Sequence, residues 1–242
     1  MIKFYPYLND DKRMLYASKY LENNGAQAVG KIENADFILC PINPKNLDYF
    51  YPLPVLAGNV EEKDSVFDYT ADESFALQNA YLTAQGAIAE ASQCSDFSLV
   101  GSRVLLLGFG RISKALLSFL SPITNKISVC ARSPLQRKQA ELLGGDAFDF
   151  DELCRRVDGF DFIFNTVAHP VLCRKELEKI NKECTIIDLA SFPGGVDNHF
   201  ASVLGVNLVV ARGLPGKYFP KTSGRLVAES VIKILKREGI AQ

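Results

Sequence analysis

Along the chain the apolar positions change period twice, and the changes mark out the elements. In the amino-terminal third, short apolar runs around Phe4, at 37–40 and at 53–57 stand between polar connections rich in Asn and Pro, with one helical pattern over 12–22. That spacing predicts a small α/β unit. From 72 to 93 the stretch "DESFALQNAYLTAQGAIAEASQ" is rich in Ala and Gln and free of Pro, and Leu77, Tyr81, Leu82 and Ile88 recur near the helical period. A connecting helix is expected there, with those four on its apolar face. Beyond it, nearly continuous apolar runs ("RVLLLG", "KISVCA", "DAFDF", "FDFIFNTV", "TIIDLA" and "NLVVA") alternate with helical patterns. A parallel strand needs a crossover and becomes covered on both faces, so this alternation predicts a doubly wound parallel sheet of Rossmann type in an α/β protein. The expected organisation is a smaller α/β domain on the substrate side over 1–98, ending in the connecting helix, and a dinucleotide-binding Rossmann domain over 99–242. The last helix, 222–238, is free in this reading to pack back on the first domain.

Composition narrows the function classes without naming one. The 242 residues carry 27 basic and 28 acidic side chains, and 48% are hydrophobic. That supports real cores and gives no global attraction to nucleic acid or to an anionic membrane. The six cysteines, at 40, 94, 130, 154, 173 and 184, form no Cys-x-x-Cys pair, and several lie in apolar runs. They read as reduced core residues of a cytosolic protein, with neither a disulfide framework nor a metal site. The opening "MIKFYPYLND" lacks a basic-then-apolar leader and no apolar segment approaches membrane-spanning length, so a cytoplasmic location is expected.

The sharpest chemical signal is "VLLLGFGRISKALLSFL", in which an apolar run passes into a helical pattern through Gly108-Phe109-Gly110-Arg111-Ile112-Ser113. A glycine turn between strand and helix is the context of a dinucleotide fingerprint. Gly108 permits the tight turn and Gly110 leaves room for a pyrophosphate beside the backbone. The amides of Arg111 and Ile112 then face the anion at the positive end of the helix. Ser113 stands where a third Gly is usual, and it is small enough for close helix-to-strand packing. About 20 residues on, an NAD enzyme places an acid on the ribose 2′-hydroxyl. Here no acidic residue occurs between Phe97 and Ala140; Arg132 and Ser133 occupy the strand tip, followed by Arg137 and Lys138. A guanidinium grips a 2′-phosphate and a carboxylate repels it, so NADP is the expected cofactor.

Ligands of an open parallel sheet lie beyond the carboxyl ends of its strands. Three later ends stand out: "FNTVAHP" with Asn165, Thr166 and His169, "IIDLASFPGGVD" with Asp188 and Ser191, and "VVARGLPGKYFPKTSG" with Gly213, Lys217, Lys221 and Thr222. Asn165 and Thr166 are expected beside the nicotinamide, and Gly213 in the same set. Lys221 is read as a carboxylate clamp or acid, with Thr222 and Ser191 beside the substrate. His169 and His199 read as surface or structural residues, and Asp188 as an anchor of neighbouring amides. Arg212, Lys217, Lys221 and Arg225 are the cations available to a carboxylated substrate.

Over roughly 83–235 the chain resembles a known family, the dipicolinate synthase A subunits of spore-forming bacteria. The resemblance rests on "TAQGAI", "SDFSLVGSRVLLLGFGRI", "ARS", "FNTV", "IIDLASFPGGVD" and "GLPGKYFPKTSG", in that order. It implies an NADP-linked oxidoreductase that works with a flavoprotein-like second subunit in sporulation. The implied reaction makes pyridine-2,6-dicarboxylate from a hydroxy-tetrahydrodipicolinate by hydride transfer, so the small-molecule partner is a dicarboxylate. Carried over by position, Gly108, Gly110, Arg111, Arg132, Ser133, Asn165 and Thr166 form the cofactor set, and Ser191, Gly213, Lys221 and Thr222 the floor of the substrate cleft. The chain departs from the family pattern at Gln85 (Glu there), Val100 (His), Ala168 (Pro), Phe192 (a basic residue) and Arg212 (Pro). The layout is also similar to that of D-2-hydroxyacid dehydrogenases, but Ser191 and Lys221 stand where those enzymes carry their catalytic Arg and His. Two alternatives stay open at this point: an NADP-linked oxidoreductase of another small carboxylated substrate, and a non-catalytic component that senses NADPH. Self-association is left open as well.

Overall fold

The computed structural model describes residues 1–7 and 11–240. In chain order its elements are β1 (Lys3–Pro6), α1 (Lys12–Asn23), β2 (Gln27–Ala28), β3 (Phe37–Ile42), β4 (Val55–Gly58), β5 (Val66–Asp68) and α2 (Glu73–Cys94). They continue with β6 (Val104–Leu107), α3 (Arg111–Leu120), β7 (Ile127–Cys130), α4 (Pro134–Leu142), β8 (Asp146–Phe148), α5 (Phe150–Arg156), β9 (Phe162–Asn165) and α6 (Arg174–Leu177). Last come β10 (Thr185–Asp188), α7 (Asn198–Val203), β11 (Asn207–Val210), α8 (Leu214–Tyr218) and α9 (Pro220–Arg237).

These elements form two units, Met1–Leu82 with Pro215–Gln242, and Thr83–Leu214. The expected change of domain at 98/99 compares with contacts that change inside α2, at 82/83, and again at 214/215. In the first unit five parallel strands lie in the order β2-β1-β3-β4-β5, the 2-1-3-4-5 arrangement of a flavodoxin-like sheet. Phe4, Phe37, Leu39 and Leu56 line one core of this unit, where they meet Met14, Ala17 and Leu21 of α1 and Leu226, Val227, Val231, Ile234 and Leu235 of α9. Apolar residues at this helical spacing on α9 explain why it packs on α1.

The second unit holds six parallel strands in the order β8-β7-β6-β9-β10-β11. Counted along the unit this is 3-2-1-4-5-6, the Rossmann order, whose direction reverses between β6 and β9. The residues of β6, β7, β9 and β10 are all buried, as a sheet covered on both faces requires. One feature of α2 departs from expectation. Leu77 and Tyr81 are exposed, whereas Ala80, Ala84, Ala87 and Ala91 are buried. The interior stripe is made of alanines, whose low hydropathy hid it beside the larger residues. No helix among the described residues is long and apolar enough to cross a membrane.

Candidate functional site

The strand order reverses between β6 and β9, whose carboxyl ends are where an open parallel sheet takes its ligands, and the glycine turn opens there. β6 ends at Leu107, Gly108 turns the chain at φ +84°, and Gly110 stands before the first turn of α3. The glycines have different neighbours. A Cβ at Gly108 would lie 2.9 Å from Thr166 Oγ1 and from Val167 Cγ2, whereas one at Gly110 would meet no protein atom within 4 Å. Gly108 is therefore required by packing, while Gly110 borders open space where a phosphate can reach the backbone. Ser113 is fully buried, and its Oγ lies 3.0 Å from Thr166 Oγ1. The Thr166 hydroxyl in turn donates to Leu107 O at 2.8 Å. Ser113 thus ties α3, β6 and β9 together at the position where glycine is usual. Phe109 is buried and so contributes its backbone to the turn; Ile112 is half-buried and Arg111 exposed.

At the tip of β7, Arg132 is exposed and Ser133 caps α4, its Oγ facing the Gln136 amide at 3.5 Å. The neighbouring cations are committed elsewhere. Arg137 Nη1 donates to Ala131 O at 2.8 Å and Arg132 O at 2.9 Å and pairs with Asp149, while Lys138 pairs with Glu141 at 2.9 Å. Among the described residues Arg132 makes no ion pair. An unquenched guanidinium at a helix start, with no acid on the strand tip, fits the 2′-phosphate of NADP. The open turn at Gly110 fits its pyrophosphate.

Deeper in the edge, Asn165 and Asp188 are both fully buried. Asn165 Nδ2 donates to Asp188 Oδ1 at 2.7 Å and to Val167 O at 3.1 Å, and Asn165 Oδ1 accepts from Val167 N at 3.0 Å. Asp188 also accepts from Ala190 N at 3.2 Å and Gly195 N at 3.4 Å. Gly195 O accepts from Val171 N and Leu172 N at 2.9 and 3.0 Å. The loops after β9 and β10 are thereby bonded into one piece. Asp188 is the amide anchor its place on an apolar strand suggested. Asn165 has both amide hydrogens occupied, so it shapes the loops from below.

The remaining expected residues divide between the units. Ser191 and Gly213 belong to the second unit and are exposed; Lys221 and Thr222 belong to the first, exposed in the opening turn of α9. His169 and His199 are exposed, and the His199 ring packs edge-on against Phe200. Burial raises the thiols of Cys40, Cys130 and Cys184 to about 12, which leaves them un-ionised near neutral pH. The Arg212 side chain, whose contacts sequence reading had no means to foresee, reaches from the end of β11 to the carbonyl of Ala190, after β10.

Comparison with known proteins adds the chain's relatives. No protein-family model matches it. The A subunit of dipicolinate synthase from Bacillus subtilis (strain 168) is 32% identical over 163 residues, 67% of this chain and 55% of that protein. The chain is a relative of the dipicolinate synthase A subunits. The match takes in little more than half the length of that curated relative. The crystal structure of the dipicolinate synthase A chain from Bacillus subtilis superposes with a TM-score of 0.86 at 24% identity, covering 98% of this chain and 96% of that one. A transhydrogenase from Sinorhizobium meliloti gives a TM-score of 0.77 at 14% identity over 98% of this chain and 93% of its own. These structures share the fold, an α/β architecture of the dehydrogenase type.

Proposed function

We propose that the protein is an NADP-linked oxidoreductase of the kind formed by the dipicolinate synthase A subunits. Its proposed reaction converts a hydroxy-tetrahydrodipicolinate to pyridine-2,6-dicarboxylate in the cytoplasm, together with a flavoprotein-like second subunit. The observation that carries the cofactor reading is the open backbone at Gly110 together with the exposed Arg132, which makes no ion pair among the described residues. The kinship to the dipicolinate synthase A subunits supports the substrate class.

In this reading Gly108, Phe109, Gly110, Arg111 and Ile112 present the turn to the pyrophosphate, and Arg132 with Ser133 receives the 2′-phosphate. NADP, when bound, supplies a hydride acceptor for a ring carbon, and loss of water completes aromatisation of the pyridine. Thr166 and Asn165 hold the loops that border the nicotinamide, with Gly213 after β11 in the same set. Ser191 is the substrate-side residue of the second unit in this reading, and the first unit's candidates are Thr222 and Lys221, the latter as carboxylate clamp or acid.

The test is a titration of the purified protein with NADPH and NADH, repeated on Arg132→Ala. NADPH binds more tightly than NADH in the wild type, and the variant loses about tenfold or more of that preference with its unfolding temperature unchanged. If neither nucleotide binds, the oxidoreductase reading falls.

A further inference from the structure

Arg212 is the last residue before the Gly213 turn, yet its side chain serves the neighbouring strand end. Nε donates to the carbonyl of Ala190 at 3.1 Å, immediately before Ser191. Nη2 lies 3.1 Å from where a Cβ on Gly194 would stand, and Asp188 Oδ2 lies 2.9 Å from the same point. Gly194, at φ +93°, is thus flanked by the carboxylate and the guanidinium, and only a residue without a side chain fits between them. Among the described residues Asp188 and Arg212 form no ion pair; the Asp188 oxygens accept from Asn165 Nδ2 and the amides of Ala190 and Gly195.

Among the described residues the Arg212 guanidinium makes this one side-chain hydrogen bond and no ion pair. A guanidinium carries five N–H donors, so most of them remain for a ligand. Held through Nε, with Nη2 beside Gly194, the group has less rotamer freedom left to lose on binding than a free side chain. Its place is the carboxyl edge of β10, the strand next to β9 in the sheet, about 4.8 Å away. That is where a ligand of an open parallel sheet is expected.

We infer that Arg212 is a specificity-determining residue that binds a carboxylate of the substrate, presented over the end of β10 by a side chain that belongs to β11. The inference rests on the proposed oxidoreductase reading for its ligand class. It replaces a reliance on lysines with a planar donor pair that matches a carboxylate in geometry and charge. The exposed hydroxyl of Ser191, the residue after the Ala190 carbonyl that Arg212 grips, is the natural second donor.

The experiment measures calorimetric binding of pyridine-2,6-dicarboxylate and of the uncharged pyridine-2,6-dicarboxamide to wild type, Arg212→Gln and Arg212→Lys, each with and without saturating NADPH. Wild type prefers the dicarboxylate. Arg212→Gln weakens the dicarboxylate by about 10- to 100-fold and leaves the diamide and NADPH unchanged, and Arg212→Lys recovers part of the loss. Unchanged dicarboxylate affinity in Arg212→Gln, with NADPH binding intact, overturns the role of Arg212 and leaves the oxidoreductase reading standing. A lowered unfolding temperature with equal loss of both ring ligands makes Arg212 a loop strap and overturns the inference too, as does a wild type that binds neither ring ligand. If NADPH fails to bind but the dicarboxylate loss in Arg212→Gln persists without nucleotide, the carboxylate site stands and the oxidoreductase reading falls.

Discussion

In the first sheet the carboxyl ends of β3 and β4 are closed by asparagines, whereas in the second sheet the ends of β6, β7 and β10 are bordered by glycines and unpaired arginines. Asn43 and Asn59 take left-handed backbones, at φ 53° and 55°, and the Asn59 amide donates to the Asn43 side-chain oxygen. Asn59 N is spent on Asp68 and Thr70, at 3.0 and 3.1 Å, and Asn43 N on Gly58 O at 2.8 Å. In the second sheet Gly110 borders open space, and Arg132 and Arg212 carry no ion pair among the described residues. Both sheets are wholly parallel, and each has the carboxyl edge at which such a sheet takes ligands, so topology alone does not select the site. What differs between the two edges is whether their polar groups are already satisfied.

This contrast is open to attack at four points, taken from the largest effect downward. Gly195→Ala places a Cβ 2.3 Å from both Asn165 Nδ2 and Val167 O. A backbone carbonyl must then move, and denaturant unfolding should show a loss of about 4 kcal/mol. A near-neutral result would mean the loops after β9 and β10 are not the rigid edge described. Asp188→Ala strips the acceptor from three buried donors. The expected cost is about 3 kcal/mol, read in the same assay.

In the first unit the effects are smaller. Asp72 accepts from the Phe75 amide at 2.7 Å at the start of α2 and pairs with Lys233 at 3.3 Å; the amide bond first, and then Lys233, hold its carboxyl below the usual range against a partial desolvation that opposes them. Asp72→Ala should cost about 1 kcal/mol at neutral pH. Because the folded group titrates lower than the unfolded one, its stabilisation is complete above about pH 4 and fades as pH falls through the folded value. The gap between wild type and variant should therefore close on acidification; a gap that is constant from pH 7 to pH 2 would exclude the cap. The smallest stability change belongs to Gly110→Ala, about 0.5 kcal/mol, since open space receives the methyl. Its NADPH affinity should nonetheless drop about tenfold or more by titration, because that space is where the phosphate approaches. At Gly110, affinity is thus lost with little change in stability.

Much of this was legible in the residues. The runs in the second half all became strands; β6, β7, β9 and β10 are mostly apolar because they are fully buried, while β8 and β11 at the sheet edges are only partly covered. The fingerprint could be found because a phosphate demands small residues at fixed spacing between strand and helix. In the first unit β2, two residues long, and β5, three residues with none fully buried, carry no such pattern. Their pairing is decided by neighbours distant in the chain. The interior face of α2 was misread toward Leu77 and Tyr81, since close packing selects small side chains that hydropathy undervalues. The side-chain bonds of Asn165 and the reach of Arg212 across to Ala190 depend on which strands lie side by side. No local pattern records that.

The first unit's discontinuity also has a temporal side. Its core draws on Met14, Ala17 and Leu21 near one end of the chain and on Leu226, Val231 and Leu235 near the other. During synthesis the second unit, a single unbroken segment from Thr83 to Leu214, emerges from the ribosome ahead of α9. The amino-terminal residues must therefore wait, with part of their apolar surface uncovered, for the last helix to arrive. The residues before Thr83 are made ahead of the second unit and their core is completed after it, which gives a chaperone time to act on them.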